Sequence, residues 1–246
     1  GIIMGGGVGL SAHGRHRVVT ERTRLAMPET GIGYFPDVGA TWLLPRAPGE
    51  AGTWLGLTGS EIGAADAIHA GLADYSVASE DLGALVMALG RLSPGVGDAA
   101  VAAKIRGFSR PAEGGMLAKN RALIDRTFRF DEVGDILAAL EAETSEFAAR
   151  TRETLLRRSP TSLKLTLRLL RLGRGSSSLM ECLEREFAAA TAVLRGHDFY
   201  EGVRAALIDK DRNPKWCPAT LDAVGAADVE RYLAPGESPL FPDHRL

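Results

Sequence analysis

Apolar positions in the first third of the chain come in short runs broken by glycine and proline. Ile2-Ile3-Met4, Arg17-Val18-Val19 and Arg24-Leu25-Ala26-Met27 have the length and composition of strands. Ala64 to Ala70 reads as a short helix, and Gly71 stands where such a helix stops. Leu72 to Val77 reads as a further strand. Strands and helices alternating at this spacing over residues 1–80 predict α/β architecture. From residue 81 onward the apolar period is that of helices, giving a second, helical region over 81–246. Leu163, Leu167 and Leu170 share a face within Thr161 to Leu172, with arginines and a lysine opposite. Between Leu179 and Leu194 the pattern places Leu179, Leu183, Phe187, Ala190 and Leu194 on one face, and Ser176-Ser177-Ser178 supplies the helix start. Beyond Pro214 the chain is punctuated by proline, and Pro235 to Leu246 reads as a surface tail.

Composition narrows the picture. With 246 residues, 45% hydrophobic and 24% charged, the balance is that of a globular protein. Lys and Arg number 29 against 31 Asp and Glu, so no basic excess exists to hold a nucleic-acid backbone. No apolar run approaches the ~18 residues that would cross a bilayer, so no transmembrane helix is expected. Two cysteines, Cys182 and Cys217, make neither a disulfide framework nor a four-cysteine zinc site, which favours a reducing compartment. The opening Gly1-Ile2-Ile3-Met4-Gly5 lacks an initiator Met and any signal-peptide pattern. It reads like the middle of a domain, and native sequence is expected to precede it.

Gly5-Gly6-Gly7-Val8-Gly9-Leu10-Ser11 follows a strand and opens a helix. It is neither a dinucleotide fingerprint nor a P-loop, since the third spaced glycine and the Gly-Lys-Ser/Thr are absent. It also misses a nucleophile elbow, because His13 stands where the last glycine belongs. Free N–H groups at such a turn can stabilise an oxyanion, or the glycines only let the helix pack tightly.

Met27 to Gly39 is the most informative stretch. Glu29 and Asp37 each follow a proline and sit among apolar residues. Proline restrains the backbone, and apolar neighbours raise a carboxyl pKa, which suits proton transfer. The competing assignment makes Glu29 a helix cap or an arginine partner, and Asp37 the cap of a helix holding Trp42 to Leu44. His13 and His16 have the spacing of a metal pair, but no nearby acid or cysteine completes a site, and no metal is expected. His69 reads as a charge at the end of a helix. His197 and Asp198 are adjacent and would not face each other on a helix, so helix termination and surface pairing are expected there. Arg157, Arg158, Lys164, Arg168 and Arg171 form a basic surface, either a solvated helix face or a partner for phosphates.

The run Gly1 to Leu10, Met27-Pro28-Glu29-Thr30 and Phe35-Pro36-Asp37-Val38-Gly39 resemble the enoyl-CoA hydratase/isomerase (crotonase) superfamily. Ser159 to Lys164, Arg195 to Ala205 and Leu207 to Asp211 resemble its 3-hydroxyacyl-CoA hydrolase subgroup. The resemblance implies an α/β fold: the C-terminal part of a β-β-α spiral, followed by a helical region. It implies hydrolysis of a 3-hydroxyacyl-CoA thioester, 3-hydroxyisobutyryl-CoA foremost, with coenzyme A as part of the substrate and no separate cofactor. Gly6 falls on the family's oxyanion-hole glycine, Glu29 on its catalytic glutamate, and Asp37 on a second acid that meets the substrate 3-hydroxyl. The family's other oxyanion donor and much of its coenzyme A site precede the glycine turn. A hydratase or isomerase on the same fold, and a non-catalytic coenzyme A-binding subunit, are the rival assignments. A homo-oligomer stays open, nucleic acid and membrane are not expected partners, and the Ala-, Arg- and Gly-rich texture suggests a bacterial cytoplasmic enzyme rather than a mitochondrial one.

Overall fold

The computed structural model describes residues 1–235 and 239–241. Most of the expected tail after Pro235 therefore lies outside the described residues. Among the described residues there are four short strands: β1 (Ile2–Met4), β2 (Val18–Val19), β3 (Arg24–Ala26) and β4 (Tyr75–Ser76). β1 pairs in parallel with β3, Ile2 opposite Arg24 and Met4 opposite Ala26. β2 pairs in parallel with β4, Val18 opposite Tyr75. Each strand of one turn therefore lies on its counterpart in the next, which is how a spiral stacks. The strand expected over Leu72 to Val77 shrinks to Tyr75–Ser76, because Leu72 and Ala73 instead donate to Ala67 at the end of a helix.

Helix α1 (Gly6–Ala12) follows β1, and α2 (Ala40–Leu43), α3 (Ala51–Thr58) and α4 (Ala64–His69) lie between β3 and β4. Gly71, at φ 71°, ends the α4 region as anticipated. Helices α5 (Leu82–Gly90), α6 (Asp98–Arg106), α7 (Leu117–Thr127), α8 (Val133–Glu141) and α9 (Glu146–Leu156) come next. They are followed by α10 (Pro160–Arg174), α11 (Leu179–Val193), α12 (Asp198–Val203) and α13 (Ala226–Tyr232). No helix among the described residues is long and apolar enough to cross a membrane.

Every residue of α3 is buried, so it forms the centre of the molecule rather than a one-sided surface helix. Trp54 stacks on Phe147 with ring centroids 5.6 Å apart and donates to Thr151 Oγ1 at 3.3 Å. A continuous cluster of buried side chains joins Val8 and Leu25 to Trp54, Phe128 and Leu163, so the strands and the later helices share one core. α10 begins one residue before the expected Thr161, with Ser159 Oγ accepting from Ser162 N–H and Pro160 in the first turn. Ser178 likewise starts α11 by accepting from Glu181 N–H.

The face expected for α11 is corrected. Its buried stripe is Cys182, Glu186, Ala189 and Val193, while Phe187 and Leu194 are exposed. The helix is rotated because Glu186 is drawn inward by backbone donors of another element. The basic surface is corrected in part: Arg157 and Arg168 are exposed, but the others are drawn in. Arg171 reaches Glu50, Asp131 and the Phe128 carbonyl, Lys164 donates to the Val224 carbonyl, and Arg168 pairs with Glu230. These cations tie elements together, because α10 runs between α3 and α13 instead of along solvent.

Candidate active site

Glu29 begins a single 3-10 turn, Glu29–Ile32, immediately after β3 and Pro28. Gly31 N–H donates to the Pro28 carbonyl at 2.9 Å and Tyr34 N–H to the Glu29 carbonyl at 3.0 Å. Thr30 Oγ1 ties the turn to the Leu57 carbonyl at 3.0 Å. The turn is backed by α12, the helix of the Arg195 to Ala205 motif. A Cβ on Gly202 would lie 2.3 Å from the Ile32 carbonyl carbon, and one on Gly33 would lie 2.2 Å from the Asp198 carbonyl oxygen. Two glycines thus let two backbones touch, and that contact sets the position of Glu29.

The Glu29 side chain caps no helix and meets no arginine among the described residues. It is 7% exposed, and its Oε2 is buried without any hydrogen-bond partner. A Cβ on Gly5 would lie 2.6 Å from Glu29 Oε1, so the carboxylate fills the space that any side chain at position 5 would take. Gly5 stands at φ 51°, which glycine tolerates. Burial, with the charge of Asp37 adding to it, pushes the Glu29 carboxyl up to about 8. The neighbouring Gly6 opens α1, its Cα faces open space, and its N–H donates to no group among the described residues. A free donor and a proton-hungry carboxylate therefore flank one turn.

Asp37 is half-buried, and burial raises its carboxyl while the Tyr34 hydroxyl holds it down. It does not cap α2. Its backbone carbonyl accepts from Ala40 N–H at 2.9 Å, and the α2 N-terminus is taken by Glu186. Val38 follows at φ 53°, an uncommon conformation for a β-branched residue, and Gly39 at φ 82°. His13 Nε2 lies 3.0 Å from the Val38 carbonyl, and a Cβ on Gly9 would lie 2.5 Å from Val38 Cβ. The Asp37 loop is therefore pressed onto α1, and the charge of Asp37 reaches the Glu29 carboxyl.

Other sequence candidates lie elsewhere. His16 meets Asp98 at 2.8 Å, well away in sequence from His13's contact. His69 closes α4 with its Nε2 buried and without a partner. His197 Nδ1 does reach Asp198 Oδ1, at 3.2 Å, at the very start of α12. Asp198 is buried rather than a surface partner, and it accepts from Ser159 Oγ at 2.6 Å and Cys217 N–H at 2.7 Å. Tyr34 and Glu186 were missed by sequence reasoning, and Asp198 was assigned to the surface. Glu186 had a signal: it is the lone acid in phase with Cys182, Ala189 and Val193.

Parallel strands stacked turn on turn, a glycine turn opening α1, and a buried carboxylate against it define a class. The enoyl-CoA hydratase/isomerase family pattern matches residues 1–233, and the chain belongs to that family. Within it, the mitochondrial 3-hydroxyisobutyryl-CoA hydrolase of Danio rerio is 44% identical over 240 residues, 95% of this chain and 62% of that protein. The small ribosomal subunit protein mS47 of Neurospora crassa is 42% identical, over 95% of this chain and 50% of that protein. A crystal structure of a carnitinyl-CoA dehydratase from Mycobacterium thermoresistibile superposes with a TM-score of 0.90 at 41% identity, covering 99% of this chain and 68% of that one. The chain thus spans less than two thirds of the curated relatives it matches. The expectation of a bacterial cytoplasmic setting is corrected here: the hydrolase relatives carry a mitochondrial designation. Residue texture misled because alanine, arginine and glycine content records no compartment.

Proposed function

We propose that this chain carries the reacting centre of a hydrolase for 3-hydroxyacyl-CoA thioesters, with 3-hydroxyisobutyryl-CoA as substrate and valine degradation as setting. The observation that carries the proposal is the Glu29 carboxylate, buried against Gly5 with Oε2 unpartnered. A buried group left unsatisfied waits for a ligand atom or a water. In this reading Gly6 N–H donates to the thioester oxygen, and the loss of one such donor typically costs about 3 kcal/mol of transition-state stabilisation. Glu29 takes a proton from water as the water oxygen attacks the carbonyl carbon. The C–S bond then breaks, the acid departs, and coenzyme A leaves as thiolate and takes up a proton. Alternatively, Glu29 attacks the carbonyl itself and water opens the resulting anhydride. One turnover in 18O-labelled water separates the two routes, because only the anhydride route leaves label in the Glu29 peptide. Asp37 accepts a hydrogen bond from the substrate 3-hydroxyl.

The names of relatives support hydrolysis and dehydration alike, so substrate comparison tests the proposal. The full chain should release thiol from saturated 3-hydroxyisobutyryl-CoA and leave an unsaturated acyl-CoA unhydrated. Hydration without thiol release supports the hydratase assignment instead. The mS47 likeness favours a second reading, a non-catalytic subunit. Coenzyme A binding without turnover of either thioester is the result that reading requires.

A further inference from the structure

We infer that Glu186, on α11, is a positioning residue for Asp37. The inference rests on the proposed hydrolase centre and deepens it. Glu186 is 4% exposed, yet it meets no cation among the described residues. Its two oxygens are spent on one short segment. Oε2 accepts from Gly39 N–H at 2.9 Å, and Oε1 accepts from Thr41 N–H at 3.1 Å and Thr41 Oγ1 at 2.6 Å. A buried carboxylate satisfied only by neutral donors holds those donors firmly, since each bond is charge-assisted.

The segment it grips begins two residues after Asp37. Val38 and Gly39 both have positive φ, at 53° and 82°, and Val38 leaves that conformation unless its surroundings impose it. Three contacts impose it. Glu186 holds Gly39 and Thr41 from one side, His13 meets the Val38 carbonyl at 3.0 Å, and the Val38 side chain sits against Gly9 of α1. The Ala40 N–H bond to the Asp37 carbonyl, at 2.9 Å, transmits the grip one step further back. With the backbone so fixed, Asp37 keeps only its side-chain torsions. Among the described residues the Glu186 carboxylate bonds only to Gly39 and Thr41, so its influence on turnover passes through the Asp37 segment.

Glutamine cannot replace it. The amide has one acceptor oxygen for three donors, and its NH2 group would face an N–H. An ordinary core or capping role and a positioning role differ in what they do to substrate choice. The test compares thiol release from 3-hydroxyisobutyryl-CoA and from isobutyryl-CoA, which lacks the hydroxyl. It uses the full chain as parent, Glu186→Gln, Asp37→Asn and the double variant. Positioning predicts that kcat/KM for the hydroxylated substrate, relative to the plain one, falls about tenfold in each single variant. It also predicts that the double variant falls no further than Asp37→Asn alone. Glu186→Asp, which keeps the charge, should restore part of the ratio. Thr41→Val removes one donor and should lower the ratio less, which keeps the test alive if Glu186→Gln does not fold. Equal loss on both substrates, or a double variant whose loss is the product of the singles, overturns the inference. Where the parent releases no thiol at all, the hydrolase proposal fails on its own. The positioning claim is then decided by a crystal structure of Glu186→Gln or Thr41→Val. Asp37 displaced from Tyr34 supports it, and Asp37 unmoved overturns it.

Discussion

Replacing Glu29 with glutamine should stabilise the protein against denaturation above neutral pH while removing the carboxylate that the proposed hydrolysis requires. The magnitude follows from burial. Burial above all, with Asp37's charge, lifts the carboxyl from its usual 4.5 to about 8. The folded state therefore binds this proton more tightly than the unfolded chain does. Stability from this group is complete below the unfolded pKa and declines as pH rises toward the folded one. Each pH unit in that window removes about 1.4 kcal/mol, so the burden is roughly 3 kcal/mol at pH 7 and roughly 5 kcal/mol above pH 8. Glutamine carries no charge and escapes this loss, but its amide still lacks a partner where Oε2 lies, which costs about 1–3 kcal/mol. The net gain should be small at pH 7 and about 2 kcal/mol or more above pH 8. Denaturant unfolding of parent and variant, in steps from about pH 5 to 9, measures it. The difference should grow by about 1.4 kcal/mol per pH unit and level off near pH 8. A difference that stays flat across that range would refute the burial argument.

Three further outcomes follow from the same geometry. Parental kcat/KM should rise about tenfold per pH unit until the Glu29 carboxyl ionises at about 8; a profile level from about pH 6 contradicts that ionisation. Gly202→Ala places a methyl group against the Ile32 backbone, so thermal unfolding should show a loss of about 1–3 kcal/mol and turnover should fall with it. Tyr34→Phe removes the hydroxyl that holds the Asp37 carboxyl down, so NMR titration of that carboxyl should move to higher pH; an unchanged midpoint means the contact is not made in solution.

Local signals were legible in the sequence, and long-range ones were not. Ile2–Met4 and Val18–Val19 are strands because short apolar runs end at turn residues. Ser178 caps α11, as the serine run before Leu179 suggested, because its own third neighbour offers the N–H group. The glycine turn and the acids Glu29 and Asp37 were also visible, as motifs with their own spacing. Glu186 was not read, because its phase with Cys182, Ala189 and Val193 marks a face without saying why an acid is buried there, and its donors lie on Gly39 and Thr41, far along the chain. That one long-range capture also shifted the whole α11 face. The close backing of the Glu29 turn by Gly202 and Asp198 was equally hidden, since a glycine in a helix announces a contact without naming its partner.

The central claim is that Glu29 acts on a thioester carbonyl beside Gly6. It is tested most directly by thiol release from 3-hydroxyisobutyryl-CoA, with parent and Glu29→Gln measured side by side at about pH 8 and circular dichroism confirming that both are folded. The account predicts that the variant loses at least about a hundredfold in kcat while staying folded. Turnover within about threefold of the parent would contradict it.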